Sequence, residues 1–252
     1  MTTEAGIDQK VKIDASGIYY RELNIRLKEL ASNGTKQVEL HNVYGQRYIG
    51  TSLDTPLEIE IHGTPGNDLG AFMNGSRITV YGNAQDGCGN TMNNGEIIVH
   101  GHAGDIVGLS ARGGKIFVRD SVGYRAGIHM KEYQEKKPTV VIGGTAQDFL
   151  GEYIAGGVMI LLGLNGGGEH RARFIGTGMH GGAIYLRGSV EKYQLGREVG
   201  IAEPGEDDWQ LVRKLVIEFA HHFKYNADKI LKGKFIKLFP LYLRPYGRIY
   251  AH

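Results

Sequence analysis

Apolar residues recur at every second position along this chain, in short segments that each end close to a glycine. When the last residue of a segment is taken as its anchor, the residues four and two positions earlier are apolar in every segment. A period of two is typical of a strand with one buried face, and the β-branched majority suits that geometry. The anchors are Asn42, Gly63, Gly82, Gly101, Asp120, Gly144, Gly163 and Gly188.

The anchors follow one another at intervals of 21, 19, 19, 19, 24, 19 and 25 residues. A unit of this length cannot bury its apolar face alone, so the units must stack on one another. The sequence therefore predicts an all-β fold, a parallel β-helix or solenoid with coils of about 19 residues. The longer intervals predict loop insertions from Met130 to Lys137 and from Asn165 to Arg173.

Glycine is abundant, with 39 residues against 6 prolines, and its positions follow the same register. These positions predict tight turns that need a positive φ. Six of the glycines follow a strand: Gly70, Gly89, Gly108, Gly127, Gly151 and Gly176. Others precede the next strand, in the pairs Asn74-Gly75, Asn94-Gly95, Gly113-Gly114, Gly156-Gly157 and Gly181-Gly182.

The open ends of a solenoid need caps, and both ends of the chain offer helices. Residues 1–36 are predicted as an N-terminal helical cap with a helix from Ile18 to Ala31, residues 37–200 as the β-helix, and residues 201–252 as a C-terminal helical segment. In the last segment acidic residues at 206–208 begin a helix, and a short helix runs from Asn226 to Gly233. The apolar stripe of the longer helix is Trp209, Val212, Val216, Phe219 and Phe223.

The residues three positions before each anchor form an outer column that changes from charged to apolar along the solenoid. Five consecutive apolar side chains facing water would be unusual, so a cover is expected. We predict that the C-terminal helix packs on the apolar part and leaves the glutamates exposed; a partner subunit or a second copy of the chain is the alternative. The outer column is Glu39, Glu60, Thr79, Ile98, Phe117, Val141, Ile160 and Tyr185.

Composition and charge exclude several classes of protein. The net charge is +2 and no dense basic cluster stands beside aromatics, which argues against a nucleic-acid partner. The longest apolar run, Val158 to Leu164, is too short for a membrane helix, and the start of the chain lacks a signal-peptide pattern, so a cytoplasmic location is expected. With a single cysteine, the chain has no internal disulfide and no metal site built from several thiolates.

Two coils, Gly101 to Gly114 and Gly144 to Gly157, carry a recognisable glycine pattern that includes Gly104-Asp105-Ile106-Val107-Gly108. Together with the tail from Trp209 to Pro240, they resemble the GXGXG domain at the C-terminus of the glutamate synthase large subunit, which is shared with a subunit of formylmethanofuran dehydrogenase. The resemblance covers nearly the whole chain. It implies a right-handed β-helix with an architectural role.

The resemblance also implies a function. The chain would be a non-catalytic scaffold of a split glutamate synthase, which makes glutamate from glutamine and 2-oxoglutarate. Its partners would be a glutaminase subunit and a synthase subunit that holds FMN and iron–sulfur clusters. This chain would hold no cofactor. The chain could also form a homo-oligomer.

Two alternative functions remain. One is a scaffold of a molybdenum or tungsten formylmethanofuran dehydrogenase, although the tail resembles glutamate synthase. The other is an independent β-helix enzyme. A lyase on this fold would have a signal peptide and a cluster of charged side chains on one outer sheet. A hexapeptide acyltransferase would repeat every six residues, whereas the most frequent interval here is 19.

Two local features could have chemistry of their own, Cys88 and a glycine-rich segment. Cys88 precedes a turn glycine and is predicted to be a packing residue. The segment from Gly176 to Gly181 has the letters of a dinucleotide-binding loop, but the next element should be a strand and not the required helix.

Histidines dominate the ring column, the residues one position before each anchor. We interpret this column as a solvated polar ladder, not a metal site, because it contains no carboxylate or thiol. His221 and His222 are expected on a polar helix face, and the charged loop at Glu169, His170, Arg171 and Arg173 is expected in solvent or at a partner. No catalytic, cofactor-binding or metal-ligating residue is assigned. The ring column is His41, His62, Tyr81, His100, Arg119, Gly143, Leu162 and Arg187.

Overall fold

The computed structural model describes residues 10–167 and 169–242, and within them eleven strands form a single sheet. Three α-helices flank the sheet: α1 (Tyr20–Ser32), α2 (Glu206–Phe223) and α3 (Ala227–Leu231). A 3-10 helix covers Lys192–Gln194. The strands are β1 (Val11–Asp14), β2 (Gln37–Tyr44), β3 (Glu58–Thr64), β4 (Asn74–Tyr81), β5 (Asn94–Val99), β6 (Lys115–Val118), β7 (Thr139–Ile142), β8 (Ala155–Leu161), β9 (Gly181–Arg187), β10 (Val199–Ala202) and β11 (Phe235–Pro240).

Strands β1 to β9 are parallel and lie side by side in chain order, as a β-helix requires. The predicted register is confirmed: Ile59 pairs with Ile78, which pairs with Ile97, and the same alignment continues along the sheet. Both apolar columns are buried in one continuous core. The parallel β-solenoid predicted from the sequence is therefore the observed fold.

From β3 onward, each coil turns back through two overlapping four-residue turns. In the coil after β3, the amide of Ala71 donates to the carbonyl of Asp68, and the amide of Met73 donates to the carbonyl of Gly70, both at 3.2 Å. The third residue of each turn, Gly70 and then Phe72, has a positive φ, as in type II turns. The predicted turn glycines are confirmed, but bulky residues with positive φ beside them were not expected.

The central glycine of these turns lies where the interior is narrowest. A Cβ atom at Gly89 would be 2.3 Å from Cδ1 of Ile116, and one at Gly70 would be 2.7 Å from Cδ1 of Ile97. Both glycines also have a positive φ. Glycine is thus favoured twice at this position: it adopts the positive φ at the lowest cost, and it has no Cβ atom to displace the isoleucine that packs against it.

The N-terminal segment contains a strand that the sequence analysis missed. The predicted helix is present as α1, with Leu23 and Leu27 buried in the core. Strand β1, however, pairs in parallel with β2, so the predicted helical cap of residues 1–36 also extends the sheet. The alternation of Val11 and Ile13 with polar residues was the available signal. Residues 1–9 lie outside the described part of the chain.

Helix α2 covers the apolar part of the outer column, as predicted. It packs over strands β5 to β9, and its 18 residues span about 27 Å, enough to cross five strands spaced about 4.8 Å apart. At one end Asp208 accepts a hydrogen bond from the Tyr185 hydroxyl at 2.5 Å, and at the other Phe223 meets the ring of His100. The buried cluster includes Ile98, Phe117, Val141, Ile160 and Tyr185 from the strands and Val212, Leu215, Val216 and Phe219 from the helix.

The chain after α2 closes the far end of the sheet. The predicted second helix is present as α3, with Asn226 as its N-cap. Strand β11 then pairs antiparallel with β9, and β10 pairs antiparallel with β11 at the edge. The segment from 201 to 252, predicted as helical, therefore also contributes a strand, and β10 crosses the predicted boundary at residue 200. Residues 243–252 are outside the described ranges.

Because the interior is narrow, substitution of Gly89 should strongly destabilise the fold. Gly89→Ala should lower the free energy of unfolding by roughly 2 to 5 kcal/mol. An alanine in the left-handed backbone conformation and an overpacked contact in the core both destabilise the folded state. Chemical denaturation would measure this. Gly45→Ala is the matched control: its φ of +81 is similar and a Cβ there would meet nothing within 4 Å, so only the backbone cost remains. Ile116→Val removes the clashing methyl group, so the double variant should recover part of the stability lost in Gly89→Ala. If the two substitutions instead changed the free energy of unfolding additively, the proposed clash would be contradicted.

Phe117 lies in the part of the outer column that α2 covers, and it is fully buried beside the imidazole of His222. A charged substitution there should strongly destabilise the fold. Phe117→Asp should destabilise the chain by roughly 4 kcal/mol or more, because it removes apolar packing and buries a charge. Ile217→Asp is the control, since Ile217 is 51% exposed on the outer side of α2. If Phe117→Asp and Ile217→Asp lowered the melting temperature equally, the packing of α2 over Phe117 would be contradicted.

Candidate functional site

The main polar cluster lies on the outer face of β2 and β3, beyond the part of the outer column that α2 covers. Glu39 from β2 stands at its centre, with His41 two residues later on the same face. His62 comes from β3, and Lys10 precedes β1. These four residues are called the Glu39 cluster below.

The Glu39 carboxylate divides its two oxygens between two kinds of partner. Its Oε1 lies 2.8 Å from Nε2 of His41 and 3.3 Å from Nε2 of His62. Its Oε2 lies 3.2 Å from Nζ of Lys10 and 3.5 Å from Nζ of Lys12. The prediction that this glutamate is exposed is wrong. Glu39 is buried, because the lysines of the unpredicted β1 region and two imidazoles surround it.

A β-bulge in β2 shapes this cluster. The pairing of β2 with β3 shifts after Leu40, and Asn42 has a positive φ of 55. The Nδ2 of Asn42 donates to Asp14 at 3.0 Å, which holds the bulge against β1. A bulge can redirect a side chain, and here it accompanies the convergence of two imidazoles on one carboxylate oxygen.

Charge strongly favours the ionised form of Glu39. Its burial alone would raise the pKa, but the hydrogen bond from Lys10 and the charges of Lys10 and Lys12 outweigh burial and lower the pKa of Glu39 to about 2. In turn, the hydrogen bond to Glu60 raises the pKa of Lys10, against the opposing effect of burial. Glu39 is therefore a carboxylate held in a fixed position at neutral pH.

The ring column is a stack of side chains, as predicted, but it is not isolated from carboxylates. The centroids of His41 and His62 are 4.8 Å apart, those of His62 and Tyr81 5.0 Å, and those of Tyr81 and His100 5.1 Å. Glu39 lies outside the ring column, so the composition of the column alone did not predict this carboxylate. The signal was its position two residues before His41, which places both side chains on one face of the strand.

A second surface feature lies at the positive-φ positions of the later coils. The guanidinium of Arg125 lies 4.6 Å from the ring centroid of Phe149, which stacks at 4.9 Å on Phe174. His129 stacks on Tyr153 at 5.4 Å. Phe174 is 46% exposed and Tyr153 is 42% exposed. We call these five residues the aromatic face; the sequence analysis missed it because the turns were identified by their glycines alone.

The two other candidates for chemistry are structural. Cys88 is fully buried, and burial raises the pKa of its thiol to about 12, which suits a packing residue and not a nucleophile. The segment from Gly176 to Gly181 leads directly into strand β9, as predicted, so it lacks the helix that a dinucleotide-binding loop requires.

Two expectations for histidines were wrong. His222 does not lie on a solvated helix face, because its ring packs on Phe117 and its Nε2 lies 3.5 Å from Glu96. His170 is buried, with its Nε2 2.9 Å from the carbonyl oxygen of Arg187, so only its neighbours in the charged loop face solvent. Burial lowers the pKa of His170, which therefore disfavours the charged form. Tertiary packing, invisible in the loop sequence, explains both.

A family model for the GXGXG motif matches residues 21–243. The chain belongs to the GXGXG motif family. This is the family of the glutamate synthase C-terminal domain, so the resemblance seen in the sequence is confirmed. The geometry also explains the motif, because three alternate positions in each coil, such as 87, 89 and 91, have positive φ. Glycine adopts that conformation at the lowest cost.

The chain is also similar to an uncharacterised protein of Methanocaldococcus jannaschii. The two are 49% identical over 253 residues, which cover 96% of this chain and 97% of the relative. The similarity therefore extends from end to end. Within residues 10–167 and 169–242, no helix has the length and apolar character needed to cross a membrane.

The electrostatics of Glu39 predict how stability depends on pH. Because the pKa of Glu39 is about 2 in the folded chain against an ordinary value of 4.5, its ionisation stabilises the fold fully above about pH 5, and this contribution is lost as the pH falls toward 2. Glu39→Gln should therefore flatten the pH dependence of the unfolding free energy across that interval, as measured by urea denaturation. Glu58→Gln, at an exposed carboxylate on β3, is the control. An unchanged slope in Glu39→Gln would contradict the assignment.

Proposed function

We propose that this chain is the non-catalytic scaffold subunit of a split glutamate synthase. In this proposal it holds a glutaminase subunit and a synthase subunit together, and the assembly transfers the amide nitrogen of glutamine to 2-oxoglutarate. FMN and iron–sulfur clusters belong to the synthase subunit. The observation that carries the proposal is membership of the family of the glutamate synthase C-terminal domain over residues 21–243.

The structure of the tail supports glutamate synthase over formylmethanofuran dehydrogenase. Helix α2 covers the apolar outer column, and β11 pairs with β9, so the tail is an integral part of the fold. The resemblance to the end of glutamate synthase chains lies in this same segment.

The chemistry of the chain also fits a scaffold. The only thiol is the buried Cys88, so a cysteine nucleophile for glutamine hydrolysis would have to come from another subunit. Such an assembly would work in the cytoplasm, where its substrates are.

The aromatic face is the surface that we assign to a partner subunit. Aromatic residues and arginine are enriched at protein interfaces, where large rigid side chains give much contact area at little entropic cost. Here Arg125, Phe149 and Phe174 form one continuous stack, and Arg125 is held by the buried carboxylate of Glu152. The stack is therefore ordered before a partner binds, which favours affinity.

Purification of the tagged chain with its native gene neighbours tests this function. We expect it to recover separate glutaminase and flavin-containing subunits, with glutamate-forming activity in the complex and no flavin on the isolated chain. The double variant Phe149→Asn and Phe174→Asn should reduce recovery of one subunit at least tenfold, a loss of about 1.4 kcal/mol that hot-spot residues commonly exceed. Asparagine tolerates a positive φ, so the backbone should not be strained.

Phe72→Asn is the matched control, because Phe72 has a positive φ of 58 and is 50% exposed on an earlier coil. It should leave recovery unchanged. Stoichiometric flavin on the isolated chain, or recovery of the chain alone at every ionic strength, would contradict the scaffold function. Equal loss in the control and the double variant would contradict only the assigned surface.

A further inference from the structure

The Glu39 cluster brings together three side chains that can each ligate a metal ion. One oxygen of Glu39 and one nitrogen each of His41 and His62 all lie within 4.8 Å of one another. They come from adjacent parallel strands whose register is fixed by the core, so their positions do not depend on a loop. We propose that Glu39, His41 and His62 form a binding site for a divalent transition metal ion such as Zn²⁺.

The donor set suits such an ion. Two imidazole nitrogens and one carboxylate oxygen are ligands of intermediate softness, which zinc and neighbouring transition metals accept and which magnesium and calcium do not prefer. Three protein ligands leave a fourth tetrahedral position open to water. Both imidazoles are half-exposed, so water and the ion can reach the site.

The distances to Glu39 already suit a metal ion, whereas the two imidazoles must adjust. In a tetrahedral site with bonds of about 2.1 Å, neighbouring ligand atoms lie about 3.4 Å apart. The present separations from Oε1 of Glu39 are 2.8 Å to His41 and 3.3 Å to His62. The two rings are stacked, with centroids 4.8 Å apart and an interplanar angle of 8°. Two nitrogens that share one ion with bonds of about 2.1 Å lie at most about 4.2 Å apart, so both rings must tilt toward Oε1 to direct their lone pairs at the ion. The ring proton of each neutral imidazole would then be carried by Nδ1.

The surrounding residues hold the ligands in place. Lys10 bonds the other oxygen of Glu39 and thereby leaves Oε1 directed at the imidazoles. Outer groups of this kind orient metal ligands and affect affinity. The ring of Tyr81 stacks on His62 and limits its rotation.

The local charge neither attracts nor excludes a cation strongly. The ammonium groups of Lys10 and Lys12 are balanced by the carboxylates of Glu39 and Glu60, which lie within 3.5 Å of them. The ion would therefore be held by coordination and not by a general negative field. Binding should consequently depend on the identity of the ligands and little on ionic strength.

Titration of the full chain, purified without a polyhistidine tag, tests the site. We expect one equivalent of Co²⁺ to give a visible absorption band that Zn²⁺ abolishes, and calorimetry to give a stoichiometry of one for Zn²⁺. Zn²⁺ should also raise the melting temperature, because it binds the folded chain.

Conservative variants separate ligation from structure. His62→Gln and His41→Gln can still donate a hydrogen bond to Glu39 but ligate poorly, so each should fold and lose Zn²⁺ affinity by at least about tenfold. His100→Ala is the matched control: His100 is in the same ring column but is no member of the Glu39 cluster, so its loss should leave affinity unchanged. Absence of binding in the parent chain, undiminished binding in both glutamine variants, or equal loss in His100→Ala would each overturn the proposal.

Discussion

The whole structure depends on how closely each turn approaches the strand across the interior. The central glycine of a coil lies so near an aliphatic side chain that a single added carbon would collide with it, as at Gly89 and Ile116. This close approach fixes the conformation of the turn, with positive φ at alternate residues. It also fixes the register of the strands, because each aliphatic side chain fills the space that one glycine leaves. The spacing of about 19 residues is the length of chain that this geometry closes.

A regular interior leaves the exterior free to differ from one coil to the next. Along the outer column the side chains change from Glu39 and Glu60 to apolar residues such as Phe117. The apolar part binds α2 of the same chain, whereas the charged part gathers lysines and imidazoles around a buried carboxylate. One column of a uniform sheet thus builds both an intramolecular packing surface and a polar site. The same freedom places bulky aromatic residues at the turns of the later coils, where only the backbone conformation is prescribed.

These surfaces suit the scaffold role that we propose. The core and the covering helix are each closely packed, and the aromatic face contains the ordered ring stack that we assign to a partner. The Glu39 cluster is a separate feature near the N-terminal edge of the sheet, so a ligand there need not interfere with binding at the later coils. Family membership supports the assembly that we propose, and the similarity to the relative from Methanocaldococcus jannaschii covers 96% of this chain.

The amino-acid sequence by itself determined the coils, the inward columns, the turn glycines and the helix over Phe117, because period, turn chemistry and burial of apolar surface act locally or repeat regularly. It determined only part of the polar cluster. The strand period places Glu39 and His41 on one face, and the strand register brings His62 beside them. The pairing of Glu39 with Lys10, which precedes the edge strand β1, and the bulge at Asn42 follow from no such pattern. The burial of His170 and His222 likewise followed from tertiary packing. Side chains at such sites are placed by contacts between elements, and no local periodicity encodes those contacts.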